Sequence, residues 1–190
     1  MTRLRRIGRP ALLTLAFLAA ADLAIVLFQT AGLRVNATAS MPLGLYRVEA
    51  YHGEPLARGA LVTVCLAPGA LTFARARNYL KPGPCPGEVE PLLKHVAALG
   101  GDRVDVSARG VTVNGRALPD SGRVAHDCAG RPLPHVRDGR YVLAPGTIWL
   151  YAPAPRSWDS RYFGAQPAVS IAGLAAPVLT VTPPARACAS

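Results

Sequence analysis

From Ala11 to Leu33 the chain is almost unbroken in apolar residues, interrupted mainly by Asp22 and Gln29. The residues ahead of that run carry Arg3, Arg5, Arg6 and Arg9 and no acid. A stretch of this kind approaches the ~20 residues that cross a hydrocarbon core as a helix. Arginines in front of a span hold that end in the cytoplasm, so everything after Arg34 is expected outside. A cleaved signal peptide competes, because Ala19-Ala20-Ala21 supplies the small residues of a cut site. The run continues through Leu23-Ala24-Ile25-Val26-Leu27-Phe28, beyond the roughly 7–15 apolar residues of a signal-peptide core, which favours an uncleaved anchor. The expected organisation is a basic cytoplasmic N-terminus over 1–9, a single-pass inner-membrane anchor over 10–33, and a periplasmic β-rich domain over 34–190. Asp22 inside the span costs on the order of 2.5–3.5 kcal/mol. It reads either as a protonated or locally hydrated acid, or as a polar contact with another membrane helix.

The chain has a formal charge of +10, and beyond the span 17 basic side chains stand against 10 acidic ones. They are scattered and lack an interleaved aromatic series, so nucleic acid is not an expected partner. Attraction to anionic lipid headgroups suits an anchored domain; ordinary solvated surface charge is the alternative. Cys65, Cys85, Cys128 and Cys188 all lie beyond the span, and an even number outside the cytoplasm points to one or two disulfides. Three full pairings are open, and the loop-like surroundings of Cys85 and Cys128 favour that pair. There is no Cys-x-x-Cys and no His-Glu-x-x-His, and the four histidines are spread out. No metal and no cofactor is expected.

After Arg34 no long amphipathic helix is legible. Short apolar or alternating runs recur between turn residues, which predicts a mainly β, antiparallel domain. Strands are expected over 43–48, 60–66, 92–99, 104–106 and 110–113, the last running into Asn114-Gly115, a strong hairpin signal because both turn residues need φ > 0. The runs 141–143 and 147–151 around Pro145-Gly146 predict a further hairpin. The stretches 69–87 and 119–139 read as irregular, the latter as an inserted loop or small subdomain.

Two residues stand out chemically. Ser40 follows the span closely, in Ser40-Met41-Pro42-Leu43-Gly44-Leu45-Tyr46. Lys94 sits among Leu92, Leu93, Val96, Ala97 and Ala98, with no acid nearer in sequence than Glu90. A serine hydroxyl attacks only when a base takes its proton, and no histidine here has an obvious partner acid. Lysine serves when desolvation disfavours its ammonium. On a strand, Leu92, Lys94 and Val96 share one face, so the amine projects from an apolar surface. The plainer alternative is a lysine snorkelling from an edge strand to water.

Three ordered segments carry a resemblance that decides between these readings: Asn36-Ala37-Thr38-Ala39-Ser40-Met41-Pro42-Leu43-Gly44-Leu45-Tyr46, then Lys94-His95-Val96 leading to Gly101-Asp102-Arg103-Val104, then Asp159-Ser160-Arg161-Tyr162-Phe163-Gly164. Together they resemble the type I signal peptidase superfamily, most of all its conjugative-transfer members of the TraF type, from the anchor to about Pro177. The resemblance implies a signal-peptidase-like antiparallel β domain behind one transmembrane helix. It implies Ser40 as nucleophile, Lys94 as general base, and the Ser40 N–H in the oxyanion hole. Thr38 matches a position where the family often supplies a second donor; an ordinary loop residue is the alternative. Asp159 and Arg161 match a segment close to the dyad, either orienting it or forming a structural ion pair, and Ser160 is expected to support Lys94 by hydrogen bonding. Gly101 and Asp102 are read as shaping a turn. The strand after Pro42 is expected to pair with an extended substrate, with Met41, Pro42 and Leu45 as the substrate-binding residues. The implied function is a membrane-anchored serine endopeptidase that processes exported precursors, a conjugative pilin foremost, and yields either a hydrolysed or a cyclised product. A general signal peptidase removing secretory signal peptides and a non-catalytic scaffold of a secretion or conjugation apparatus are the rival readings.

Overall fold

The computed structural model describes residues 8–183. Helix α1 (Arg9–Thr30) leads directly into a short strand β1 (Leu33–Asn36), against which it packs, and β2 (Leu43–Ala50) follows. Then come β3 (Leu61–Val64), α2 (Pro68–Ala76), β4 (Pro82–Cys85), β5 (Leu92–Leu99), β6 (Arg103–Ser107), β7 (Gly110–Val113) and β8 (Arg116–Ala117). The chain closes with β9 (Gly139–Val142), β10 (Thr147–Tyr151), α3 (Ser160–Phe163), β11 (Gln166–Pro167) and the long β12 (Ile171–Val181). A seven-stranded sheet runs β1-β2-β12-β3-β5-β10-β11 and a four-stranded sheet β8-β7-β6-β9. Every pairing within them is antiparallel.

α1 is 22 residues long and exposes Leu13, Phe17, Leu23, Ile25 and Leu27. Among the described residues no helix is long and apolar enough to cross a membrane, so the anchor expected over 10–33 is not established by the fold. Residues 1–7 of the expected cytoplasmic segment lie outside the described residues.

The strand periodicity places the core. On β5, Lys94, Val96 and Ala98 are buried while the residues between them are only partly so, the two-residue alternation of a half-covered strand. Val62, Val64, Val96, Ile148, Leu150 and Ile171 form the core of the large sheet. Val104, Val106, Val111, Val113, Leu143 and Trp149 form that of the small one. Asn114 and Gly115 have φ of 50° and 82° and connect β7 to β8 with Val113 opposite Arg116, the expected hairpin.

The second expected hairpin does not form. β9 pairs with β6 and β10 with β5, so the chain leaves one sheet for the other at Ala144-Pro145-Gly146. The β5–β6 connection switches sheets at the same place, and the two crossings are tied together. Gly101 donates to Leu143 O and Leu143 donates to Asp102 O, and a Cβ on Gly100 would meet Ala144 O at 2.8 Å. Pro-Gly marked the turn correctly, but a turn does not say which strand comes next to which. Asp102 braces this crossing, accepting from Arg58, from the Leu99 N–H and from Asn114 Nδ2, and Arg58 beside it holds the carboxyl well below the usual carboxylate range.

The 69–87 stretch is less irregular than its sequence reads. Proline at the first turn of α2, where its missing N–H costs nothing, starts a short helix. That helix packs with Leu66, Leu133, Trp158 and Tyr162 in a third cluster. A disulfide joins Cys65, just after β3, to Cys85 at the end of β4, with Cα atoms 5.5 Å apart. The expected Cys85–Cys128 pair is thereby corrected, because loop-like surroundings carry no information about which loop folds back on which strand. Cys128 is itself disulfide-bonded, and Cys188 lies outside the described residues. Closing a loop with a sequence separation of 20 residues restrains the unfolded chain by about 3 kcal/mol. Replacing Cys65 and Cys85 together by serine is expected to lower the unfolding free energy by about that amount, read as a fall in the urea midpoint.

Candidate active site

Ser40 lies in the loop between β1 and β2, on the edge of the large sheet. Asn36 stands opposite Gly44 where that loop opens and closes. Gly44 has φ of +135°, and a Cβ there would come within 2.1 Å of Leu179 O on β12, so the glycine in Pro42-Leu43-Gly44 is required by close backbone approach. The Tyr46 hydroxyl, itself buried, donates to Pro42 O at 2.7 Å.

Lys94 projects from β5, opposite Val62 on β3, and is 2% exposed. Its Nζ lies 3.0 Å from Ser40 Oγ and 3.1 Å from Leu93 O. Burial pushes the amine down to about 8; Asp159 opposes that shift, Arg161 reinforces it and Glu90 opposes it. The lysine therefore does not snorkel; it is buried and meets the serine. Thr38 Oγ1 is 3.4 Å from Ser40 Oγ and donates to Asn36 Oδ1 at 2.8 Å. Among the described residues the Ser40 N–H has no hydrogen-bond partner, so it is available to a bound oxygen.

Asp159 and Arg161 are fully buried. Arg161 donates to both carboxylate oxygens, Nε to Oδ1 at 2.8 Å and a terminal nitrogen to Oδ2 at 2.7 Å. Its other donors reach the carbonyls of Asp120, Gly122, Ala152 and Ala154, while Asp159 also caps α3 through the Arg161 N–H and accepts from the Ala152 N–H. The pair is a structural brace that reaches Lys94 only through its field. Ser160 differs from expectation. Its hydroxyl accepts from the Leu150 N–H at 2.8 Å, and among the described residues it makes no hydrogen bond to Lys94.

A cleft of about 560 Å³ opens beside the pair. It is lined by residues 34–38 and Ser40, by Tyr46, Val48 and Ala50 of β2, by residues 81–84 and by residues 90–94. Met41, Pro42 and Leu45 are not among the lining residues; Met41 is buried and Pro42 spends its carbonyl on Tyr46 and Asn36. β2 is paired on both sides, by β1 and β12, so no substrate strand can be added to it. Among the described residues β1 has a neighbour on one side only, and it lines the cleft.

The signal peptidase (peptidase S26) family model matches residues 6–180. The chain belongs to the signal peptidase S26 family. Within that family it is 40% identical over 185 residues to a probable conjugal transfer protein TraF of Sinorhizobium fredii, covering 96% of each chain. It is 42% identical over 156 residues to the conjugal transfer protein TraF of Agrobacterium tumefaciens, covering 81% of this chain and 86% of that one. A plasmid transfer protein TraF of Escherichia coli is 38% identical over 152 residues, with 79% and 84% covered. Among solved structures, a signal peptidase I of Enterococcus faecalis aligns over 64% of this chain and 97% of its own with a TM-score of 0.37 and 18% identity. For this S26 chain the residue that sequence reasoning passed over is Asn36, whose side chain makes five hydrogen bonds in the Ser40 loop. The signal was there in Asn-x-Thr, an Asx-turn pattern.

Proposed function

We propose that this chain is a membrane-anchored serine endopeptidase of the TraF type that cuts exported protein precursors, a conjugative pilin foremost. The observation that carries the reading is a buried amine 3.0 Å from a serine hydroxyl at the wall of a cleft. Lys94 in its neutral form accepts the Ser40 proton as Oγ attacks the scissile carbonyl, then returns it to the departing amine. The Ser40 N–H meets the oxyanion, where a fixed donor acts on charge that exists only in the transition state. Thr38 adds a second donor if its hydroxyl exchanges Asn36 for the oxyanion. The substrate lies extended along β1, as an added strand at a free sheet edge.

Asp159 and Arg161 support this site by holding the end of β10 and by setting the field at Lys94. α1 is the anchor, its exposed apolar side chains facing lipid and the basic N-terminus facing the cytoplasm; Ser40 then stands close to the outer membrane–water interface, where precursors emerge. The acyl-enzyme is resolved by water or by the substrate's own amine. Co-expression with a candidate pilin precursor followed by mass spectrometry tests the reading. A cut product is expected, lighter by one water than the linear cleaved peptide if the amine closes a ring. An uncut precursor with correctly folded, membrane-bound enzyme would overturn the peptidase assignment for that substrate class.

A further inference from the structure

We infer that Asn36 is a positioning residue that sets the attack geometry of Ser40; this rests on the Ser40–Lys94 reading above. β1 is the edge of its sheet and only four residues long, so the first arm of the Ser40 loop is held by a strand supported on one side. The second arm is secured by Gly44 against β12 and by Tyr46 on Pro42 O. Between the two arms, one side chain does the gathering. Asn36 Nδ2 donates to Thr38 O at 3.0 Å, Met41 O at 3.2 Å and Pro42 O at 2.9 Å, and Oδ1 accepts from the Thr38 N–H at 3.2 Å and from the Thr38 hydroxyl at 2.8 Å. The amide orientation follows from its surroundings: flipped, the oxygen would face three carbonyls and the NH₂ group a backbone N–H.

These bonds flank Ser40 on both sides and fix more than its backbone. Because the Thr38 hydroxyl proton is spent on Asn36, Thr38 turns a lone pair toward Ser40 Oγ, 3.4 Å away. The Ser40 proton then has two acceptors in reach, and the nearer is Lys94 Nζ at 3.0 Å. Asn36 thus holds Ser40 against its base through the loop carbonyls and orders the hydroxyl chain Ser40–Thr38–Asn36. A displacement of about 1 Å at such a nucleophile costs on the order of 100-fold in rate, without changing how the rest of the substrate binds in the cleft.

The test is steady-state cleavage of a peptide spanning the precursor's cut site by the purified full chain, with thermal unfolding measured in parallel. Asn36→Ala is expected to lower kcat about 100-fold with KM within about twofold and the melting temperature nearly unchanged. Asn36→Asp keeps the shape and the Oδ1 acceptor but replaces the donor facing three carbonyls by an acceptor, and is expected to lose at least as much kcat. The inference is overturned if either variant keeps kcat within about twofold of the parent, or if the loss appears equally in KM and tracks the melting temperature. Ser40→Ala is run alongside. If it stays active, the dyad reading itself fails; if it is inactive while Asn36→Asp is fully active, only the positioning role fails.

Discussion

Lys94→Met is expected to be inactive and, at pH 7, more stable than the parent. The two effects share one cause. Lys94 is buried to 2% exposure and its amine is pushed down to about 8, chiefly by desolvation, from the ordinary lysine value of about 10.5. In the unfolded chain the same amine titrates at the ordinary lysine value. Between pH 8 and 10.5 the unfolded state therefore binds more protons than the folded one, and stability rises with pH across that window. Below it both states are protonated and the cost of the buried charge is present in full, on the order of 3 kcal/mol. Methionine fills the same apolar space with no charge, so the variant should recover most of that cost, seen as a higher urea midpoint at pH 7 and a difference that fades between about pH 8 and 10.5. Activity follows the opposite logic. The base must be neutral to take the Ser40 proton, so kcat/KM of the parent should climb as pH rises through about 8, and Lys94→Met should show no such limb because no turnover remains. Ser40→Ala should match it in inactivity but not in stability, since it leaves the buried amine in place. A Lys94→Met variant less stable than the parent at pH 7, or one that still cleaves, would contradict the burial argument or the dyad respectively.

What the sequence made legible was local. The alternation from Leu92 to Leu99 delivered β5 with its observed ends, and Asn114-Gly115 delivered its hairpin, because in each case the residues that decide the outcome are neighbours. Ser40 and Lys94, which meet at 3.0 Å, stood out for the same reason: a lysine within an apolar strand and a serine behind an apolar helix need no partner to look unusual. The parts that were not legible depend on which distant strand arrives alongside. β12 reads poorly as a strand in Ile171-Ala172-Gly173-Leu174-Ala175-Ala176-Pro177, yet it runs between β2 and β3 inside the large sheet. Its proline falls where the register shifts, between Pro177 and Leu179, a bulge position at which a missing N–H is tolerated. Because β12 covers one edge of β2 and β1 the other, the strand after Pro42 has no free edge for the substrate pairing expected of it, and the free edge lies on β1, too short to announce itself. The Cys65–Cys85 bridge and the Leu150 partner of Ser160 were hidden in the same way.

Breaking the Asp159–Arg161 pair is expected to be the most destabilising single change outside the hydrophobic clusters. Both side chains are fully buried, and removing one partner of such a pair strands the other charge without water, typically at a cost of 3–5 kcal/mol. That is a large share of the 5–15 kcal/mol that holds a whole domain folded. Arg161→Met should be the more damaging of the two. It leaves the Asp159 carboxylate with only backbone N–H donors and also removes the donors that reach the Asp120, Gly122, Ala152 and Ala154 carbonyls. Asp159→Leu leaves Arg161 charged but still bonded to those four carbonyls, which spread part of the charge. The double variant Asp159→Leu/Arg161→Met separates the pair from the brace. If the ion pair alone mattered, an apolar replacement of both partners would return close to parental stability. The Asp120 and Gly122 carbonyls lose their hydrogen bonds, while Ala152 O and Ala154 O keep those from the Ala154 and Ser157 N–H groups, so the double variant should recover only part of the Arg161→Met loss in denaturant unfolding. Full recovery would mean that Arg161 is present for Asp159, and that the loops at 120–122 and 152–154 hold their positions without it.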